Sequence, residues 1–436
     1  MTDKKEEKEQ IGLKDAVSIG IGGMVGGGIF AVLGLSVELA KGGVPISFLV
    51  AGCIALMTAY SYAKLSVAYP DEGGTVRFIY EGFGYSVLSG GLNNMLWVSY
   101  IIMLSLYSSA FGAYASGMFD ITGDHIVDKH IFISAIILFS TFINYYSIKV
   151  VGEVESFAVI IKLIILLAFV AAGFWGITEN PNFIQLSPEN WESPVQLIAG
   201  GMVIFVAYEG FELIANSAPD IKHPMKNTPK AYYYSVIFVI LLYIAIAVVT
   251  VGSLDFADIG KAQDYALAEA AKPKFGQIGF TIISIAAMIS TFSAINATLL
   301  GGSRTNYEVA LYHELPEEFT KQLWGKPLGL LIISIFTLVI ANTIDLESIS
   351  TSGSAGFLVI FGIVNFIAFK KRKTIFANKS ITIIGFICCI LAFIILTIQQ
   401  IQENATGIII AFSIFGTCFL GEWLYKKHLK KKIDHQ

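Results

Sequence analysis

Of 436 residues, 55% are hydrophobic and only 14% are charged, and the mean hydropathy is +0.68. A water-soluble domain carries about 25% charged residues, so a freely soluble globular chain is excluded. The net charge of -4 matters less than where the charges sit.

The first ten residues are polar and charged, and no small-residue cleavage site follows the first apolar run, so no removable signal peptide is expected. Apolar windows then fall at 12–39, 45–69, 86–118, 131–149, 154–177, 195–218, 230–252, 277–302, 328–343, 352–369, 381–400 and 406–425. Runs of about 20 apolar residues match the bilayer core. Each window predicts a helix, because a lipid-exposed backbone must bond to itself. The expected fold class is an all-α membrane protein with 12 transmembrane helices. No soluble domain is expected, and the connection 253–276 reads as partly helical from Ala266 to Ala271.

Basic residues set an orientation. With the N-terminus in the cytoplasm, 23 Lys and Arg fall inside, from Lys4 to Lys432. Five fall outside (Lys41, Lys129, Lys261, Lys272 and Lys274), and Lys162 lies within a span. Such a bias predicts a multi-pass protein of the plasma membrane with both termini cytoplasmic.

Two windows carry interruptions. In the first, Gly22-Gly23-Met24-Val25-Gly26-Gly27-Gly28 holds five glycines in seven positions. Each costs roughly 1 kcal/mol against alanine in a helix. Helix packing is one explanation, but three consecutive glycines exceed what small-residue packing needs and suit an unwound stretch facing a cavity. In the sixth, Tyr208-Glu209-Gly210-Phe211-Glu212 places two carboxylates and a glycine near mid-membrane, where a charge is expensive and faces the protein interior. Spans 1 and 6 are five apart, so spans 1–5 and 6–10 have opposite orientations. Interruptions at matching positions mark the site of an inverted-repeat transporter, a template for which the leucine-transporter fold is the standing example. The expected division is a tail (1–11), repeat one (12–177), repeat two (195–369), a helix pair (381–425) and a basic tail (426–436). Half-helix N-termini suit a carboxylate, and half-helix C-termini and unwound carbonyls suit an ammonium. An amino acid carries both groups on one carbon.

On these residues the chain resembles the amino acid–polyamine–organocation superfamily of permeases over nearly its whole length. The motifs are Met24-Val25-Gly26-Gly27-Gly28-Ile29-Phe30, then Tyr208 to Glu212 with Asn216, Asp220, Pro224, Pro229 and Ala231, then Ile289 to Arg304 and Glu314-Leu315-Pro316. Within the family, Phe157 to Leu167 is most similar to a proton-coupled, broad-specificity archaeal branch. The resemblance implies a 5+5 inverted repeat with helices 1 and 6 unwound and two extra C-terminal helices. It implies a substrate carboxylate at the amides of Gly26, Gly27 and Gly28. It implies an ammonium at the carbonyls of Met24, Val206, Ala207 and Glu209, with Phe211 as an aromatic gate. It also implies that Lys162, with Gly22 and Ser290 as neighbours, takes the place of a sodium ion used by sodium-coupled relatives. Spans 1, 2, 6 and 7 would rock against spans 3, 4, 8 and 9.

Lys162 also stands out without the resemblance, because it lies among Val159, Ile160, Ile161, Leu163, Ile164 and Ile165. Burial disfavours a charged amine, so a lysine here is suited to loading and releasing a proton. A protonated amine would bridge helix 1 carbonyls to helix 8, where Ser290, Thr291 and Ser293 lie; the bland alternative is a snorkelling lysine.

Glu209 departs from the relatives, which carry an apolar residue there. It has three readings: a second protonatable group, a partner for a cationic substrate, or an acceptor for amides freed by unwinding. Gly27 stands where many relatives carry a hydroxyl. Thr351, Ser352, Gly353 and Ser354 lend polarity to span 10 or serve packing.

The glycines lack the Gly-Lys-Ser/Thr ending of a phosphate loop. The six histidines read as solvated loop or tail residues without metal spacing. The four cysteines read as buried inert thiols. The functional expectation is import of amino acids by proton symport. Exchange of amino acids or cationic amines, or sodium symport, are the transport alternatives; a channel or membrane sensor is the alternative of another class. No catalytic constellation, cofactor or metal is expected beyond the coupling proton. The expected partners are the amino acid and the lipid bilayer, with no nucleic acid, in a monomer or weak homo-oligomer.

Overall fold

The computed structural model describes residues 10–146, 148–312, 314–315, 320–323 and 326–434. The early tail lysines, His313, Pro316 and His435 lie outside the described residues. In chain order the helices are α1 (Leu13–Met24), α2 (Gly28–Ala40), α3 (Val44–Ala68), α4 (Thr75–Phe83), α5 (Val87–Met118) and α6 (His125–Tyr146). Then come α7 (Ile148–Phe174), α8 (Pro194–Val203), α9 (Leu213–Asn216), α10 (Pro224–Ser253), α11 (Phe256–Lys261) and α12 (Ala266–Glu269). The chain ends with α13 (Lys272–Leu311), α14 (Leu328–Thr343), α15 (Leu346–Lys370), α16 (Lys379–Glu403) and α17 (Ala405–Asp434). A small antiparallel ribbon pairs Gln322–Leu323 with Lys326–Pro327.

Among the described residues, 9 helices are long and apolar enough to cross a membrane, or up to 11 when α1 with α2, and α8 with the segment Phe205–Asn216, each count as one bent span. The shorter apolar α14 has 16 residues and occupies the ninth window. The protein is thus an all-α, multi-pass membrane bundle.

Local chemistry sets the boundaries. Ser193 and Gln196 form a capping box that starts α8, with Pro194 in the first turn. Asp345 and Asn378 accept the first amides of α15 and α16. Helix α6 begins earlier than its apolar window, because its charged residues are tied down. Asp128 accepts from the amides of Ile121 and Thr122, and Lys129 pairs with Asp264. His125 and His130 therefore belong to a helix and not to a loop, and they bond Ser116 and Asn342. Helix α4 lies in a stretch expected to be a connection. The cysteine expectation also needs correcting: Cys389 and Cys418 are buried, but Cys53 is exposed on α3.

The helices pack in two groups. Helices α3, α8, α1 and α10 pack together, and α5, α6, α13 and α14 form a second set. Helix α7 lies against α13 and α10. The face that carries the chain ends is pinned. The Ile11 amide donates to Asp220 O at 2.8 Å, Lys222 N donates to Ile11 O at 2.9 Å, and Asn216 Nδ2 donates to Glu72 O at 3.0 Å.

Helix α17 closes on this face. Lys426 Nζ donates to Ser86 O at 2.7 Å and pairs with buried Glu422 at 3.0 Å. Asn94 bridges Glu422 to the Glu314 carbonyl. The Glu314 carboxylate accepts from Ser89 Oγ at 2.8 Å and Asn93 Nδ2 at 2.6 Å. Burial nevertheless holds the Glu314 carboxyl above the usual carboxylate range, while Asn93, Ser89 and Lys426 pull the other way. A carboxyl raised in the folded state favours folding while protonated, and this contribution disappears as pH rises through the raised value. The melting temperature of the wild type is therefore expected to fall more steeply than that of Glu314→Gln as pH rises from the usual carboxylate range toward neutrality. A fluorescence melt of both proteins across that range checks this, and equal slopes would refute it.

Candidate functional site at two interrupted helices

The chain leaves helical geometry between α1 and α2 at Val25, Gly26 and Gly27, and the two pieces meet at 47°. The second break follows α8. A tight turn covers Phe205–Tyr208, Glu209 is extended at φ -62° and ψ 151°, and Gly210 takes φ +114° before α9 resumes. The pieces meet at 54°.

The two breaks touch each other through backbone. A Cβ on Gly23 would lie 2.6 Å from Gly210 O, and one on Gly28 would lie 2.8 Å from Ala207 Cα. The sequence thus places glycine where two backbones cross. Gly27 is a different case: the Tyr107 ring fills the space a side chain would need, with a contact of 2.5 Å. Glycine at 27 therefore leaves room for the aromatic approaching from α5.

Polar groups freed by unwinding have partners. Tyr243 Oη, from α10, donates toward both Met24 O at 2.7 Å and Ala207 O at 3.1 Å. Two carbonyls expected to receive an ammonium thus converge on one point. Ser350 and Ser354 of α15 donate to Val203 O at 2.7 and 2.9 Å, and Val206 N donates to Ser354 Oγ at 3.0 Å. Of the polar stretch at 351–354, Ser354 therefore serves the break directly. Tyr243 and Ser350 were not visible in the sequence, since a lone Tyr or Ser in an apolar span gives no signal of its partner.

Replacing Tyr243 by Phe removes the single O–H that the buried Met24 and Ala207 carbonyls share. The expected loss is about 1–3 kcal/mol of stability, read as a lowered melting temperature of the purified variant. An unchanged melt would show that the hydroxyl does not hold the breaks together.

Glu209 and Glu212 are both buried, 3% and 0% exposed. Tyr107 Oη donates to Glu209 Oε2 at 3.3 Å. The amide freed at Gly210 goes to Glu212 Oε2 at 2.7 Å, so the neighbouring carboxylate, and not Glu209, takes that backbone bond. The two carboxyl groups also interact with each other. Phe211 is fully buried in an aromatic cluster, with ring centroids 5.5 Å from Tyr62 and 5.1 Å from Phe361.

Lys162 is 0% exposed, and its Nζ donates to Gly22 O at 3.0 Å. Ser290 reaches the same segment from α13, its hydroxyl donating to Val25 O at 3.0 Å and Gly26 O at 2.8 Å. Helix α13 therefore grips the first break at Val25 and Gly26, and α7 grips the end of α1 just before it, at Gly22. On the face opposite the chain ends, a cavity of about 310 Å³ reaches Val203 beside the second break, lined by Glu38, Glu347 and Glu403.

Broken helices meeting inside a multi-pass bundle are the architecture of membrane transporters that move small solutes. Residues 11–420 match the family described as amino acid permease, and the chain belongs to that family, part of the amino acid–polyamine–organocation superfamily. Family membership points to a transporter and not to a catalytic enzyme. It is 33% identical to an uncharacterised protein of Methanocaldococcus jannaschii over 433 residues, 98% of each chain. It is 31% identical to the inner membrane transport protein YbaT of Escherichia coli over 397 residues, 90% of this chain and 91% of that one. The branched-chain amino acid permease BcaP of Bacillus subtilis is 26% identical over 274 residues, 58% of this chain and 57% of that one.

Proposed function

We propose that this protein imports amino acids across the plasma membrane by proton symport, with both termini in the cytoplasm. The observation that carries the reading is the contact of a fully buried amine, Lys162 Nζ, with the Gly22 carbonyl at the edge of the first break, 3.0 Å away. A positive charge on that amine is balanced by helix 1 carbonyls, and loss of its proton weakens the grip. Protonation thus has a different interaction energy in the two states of the helix, which is what coupling requires.

In this reading the spans number 12, with α14 as the ninth, and spans 1–5 and 6–10 form a 5+5 inverted repeat. The substrate carboxylate meets the amides of Gly26, Gly27 and Gly28. Its ammonium displaces the Tyr243 hydroxyl from the carbonyls of Met24 and Ala207, with Val206 and Glu209 beside them. Phe211 gates the path to the terminal face. The packing of α1, α3, α8 and α10 against one another, apart from α5, α6, α13 and α14, supports a bundle that rocks within a scaffold.

A thermal-shift panel of the twenty amino acids on purified protein, at two pH values and with or without sodium, tests this. Stabilisation by at least one amino acid, dependent on pH and indifferent to sodium, is expected. Stabilisation that needs sodium and ignores pH would overturn proton coupling. No stabilisation by any amino acid would overturn the substrate class.

A further inference from the structure

Helices α7 and α13 leave a groove between them on the side away from the two breaks. Its volume is about 280 Å³, and its walls are apolar, from Ile164 and Ala168 of α7 to Ile278 and Ile282 of α13. Its rim faces the bilayer: Ile164 is 61% exposed and Ile278 72%. Toward the face opposite the chain ends, it runs into a second cavity of about 500 Å³ that shares Phe169, Ala271 and Phe275 as walls. This cavity has mixed walls and, unlike the groove, carries polar groups: Lys274, Glu179, Asn180 and Ser253. Trp175, on its wall, is 82% exposed, and exposed Trp marks the level of the lipid headgroups.

Two charged residues, Lys274 and Glu179, line this cavity. Lys274 Nζ donates to the Ala172 and Trp175 carbonyls at the end of α7. An ammonium has three donors, so one remains for a further acceptor. Glu179 supplies a carboxylate in the same cavity. An apolar slot that ends in one cation and one anion matches a lipid with an acyl chain, a phosphate and a primary ammonium.

We propose that this groove is a binding site for phosphatidylethanolamine. One acyl chain lies between α7 and α13, the phosphate accepts from Lys274, and the headgroup ammonium donates to Glu179. A choline headgroup has no N–H to donate, and a glycerol headgroup brings no charge to Glu179. The helices that hold the lipid are those that carry Lys162 and Ser290, so the site sits behind the grip on the first break. It does not depend on which solute is carried.

Native mass spectrometry of the full-length protein tests the proposal, using phosphatidylethanolamine, phosphatidylcholine and phosphatidylglycerol with identical acyl chains. The wild type is expected to retain one phosphatidylethanolamine about five-fold more than either other lipid, the effect of one hydrogen bond over phosphatidylcholine and of one charge at a lipid surface over phosphatidylglycerol. Glu179→Ala, which removes the acceptor itself where glutamine would keep one, should erase the preference over phosphatidylcholine, and Lys274→Glu should lower retention of all three. Ile282→Trp should fill the groove and remove the bound lipid. Should that variant not fold, Ile278→Trp at the rim blocks the same slot. Equal retention of the three lipids by the wild type, or full retention by the folded groove-filling variant, would mean ordinary annular lipid and overturn the site.

Discussion

In proteoliposomes, Lys162→Ala is expected to lose uptake driven by a proton gradient. A single coupled proton supports about ten-fold accumulation per pH unit, since one pH unit is worth about 1.4 kcal/mol. The wild type should approach that ratio with an imposed gradient, whereas the variant should equilibrate substrate without concentrating it. The reason is local. The amine is fully buried against Gly22 O, and a methyl group in its place neither carries a proton nor bonds the carbonyl. Ser290 still holds Val25 O and Gly26 O from α13, so the break survives and substrate can still bind. A substrate-induced thermal shift separates the two losses, because the variant should retain a shift that no longer varies with pH. Wild-type accumulation by Lys162→Ala would remove this residue from the coupling mechanism.

How much of this was legible depended on whether a residue conflicts with its surroundings. The spans were readable because 20-residue apolar runs have few other uses. The breaks were readable because five glycines in seven positions, and two carboxylates at mid-membrane, contradict an ordinary helix. Lys162 was readable for the same reason. What escaped were residues at ease in their local setting. Tyr243 lies in an apolar run, and its partner Met24 is 219 residues away, so nothing local announces the contact. Ser350 is one of several serines in its span. The identity of the amide acceptor at Gly210 was undecidable from spacing, because Glu209 and Glu212 both stand within reach of the freed backbone, and only the turn geometry assigns it to Glu212. The short amphipathic α4 had too few residues to rise above a loop, and α6 began among charges that only distant partners neutralise.

The unwound segments also show why the site is costly to build and sensitive to change. A break exposes amides and carbonyls that a bilayer cannot solvate. Here α10, α15 and Glu212 supply the missing partners. In the proposed reading, a substrate held between the breaks replaces some of these contacts with its own. Tyr243 is the clearest case, because one hydroxyl spans a carbonyl from each break.

Gly210→Ala is expected to unfold the crossing of the two breaks and abolish transport. Two costs combine. At φ +114° a side chain is strained by about 1–3 kcal/mol wherever it is placed. The added Cβ would also lie 2.3 Å from Gly23 C and 2.6 Å from Met24 N, and both are backbone atoms that no rotamer change can move. Overpacking of this kind costs about 1–3 kcal/mol more. A total of about 2–6 kcal/mol is a large part of the 5–15 kcal/mol that holds a typical domain together. Gly23→Ala isolates the steric part, because Gly23 lies within helical α1 while its Cβ would meet Gly210 O at 2.6 Å. The melting temperature should therefore fall in both variants, and further in Gly210→Ala. A Gly210→Ala protein that melts and transports like the wild type would show that the second break does not need this backbone conformation.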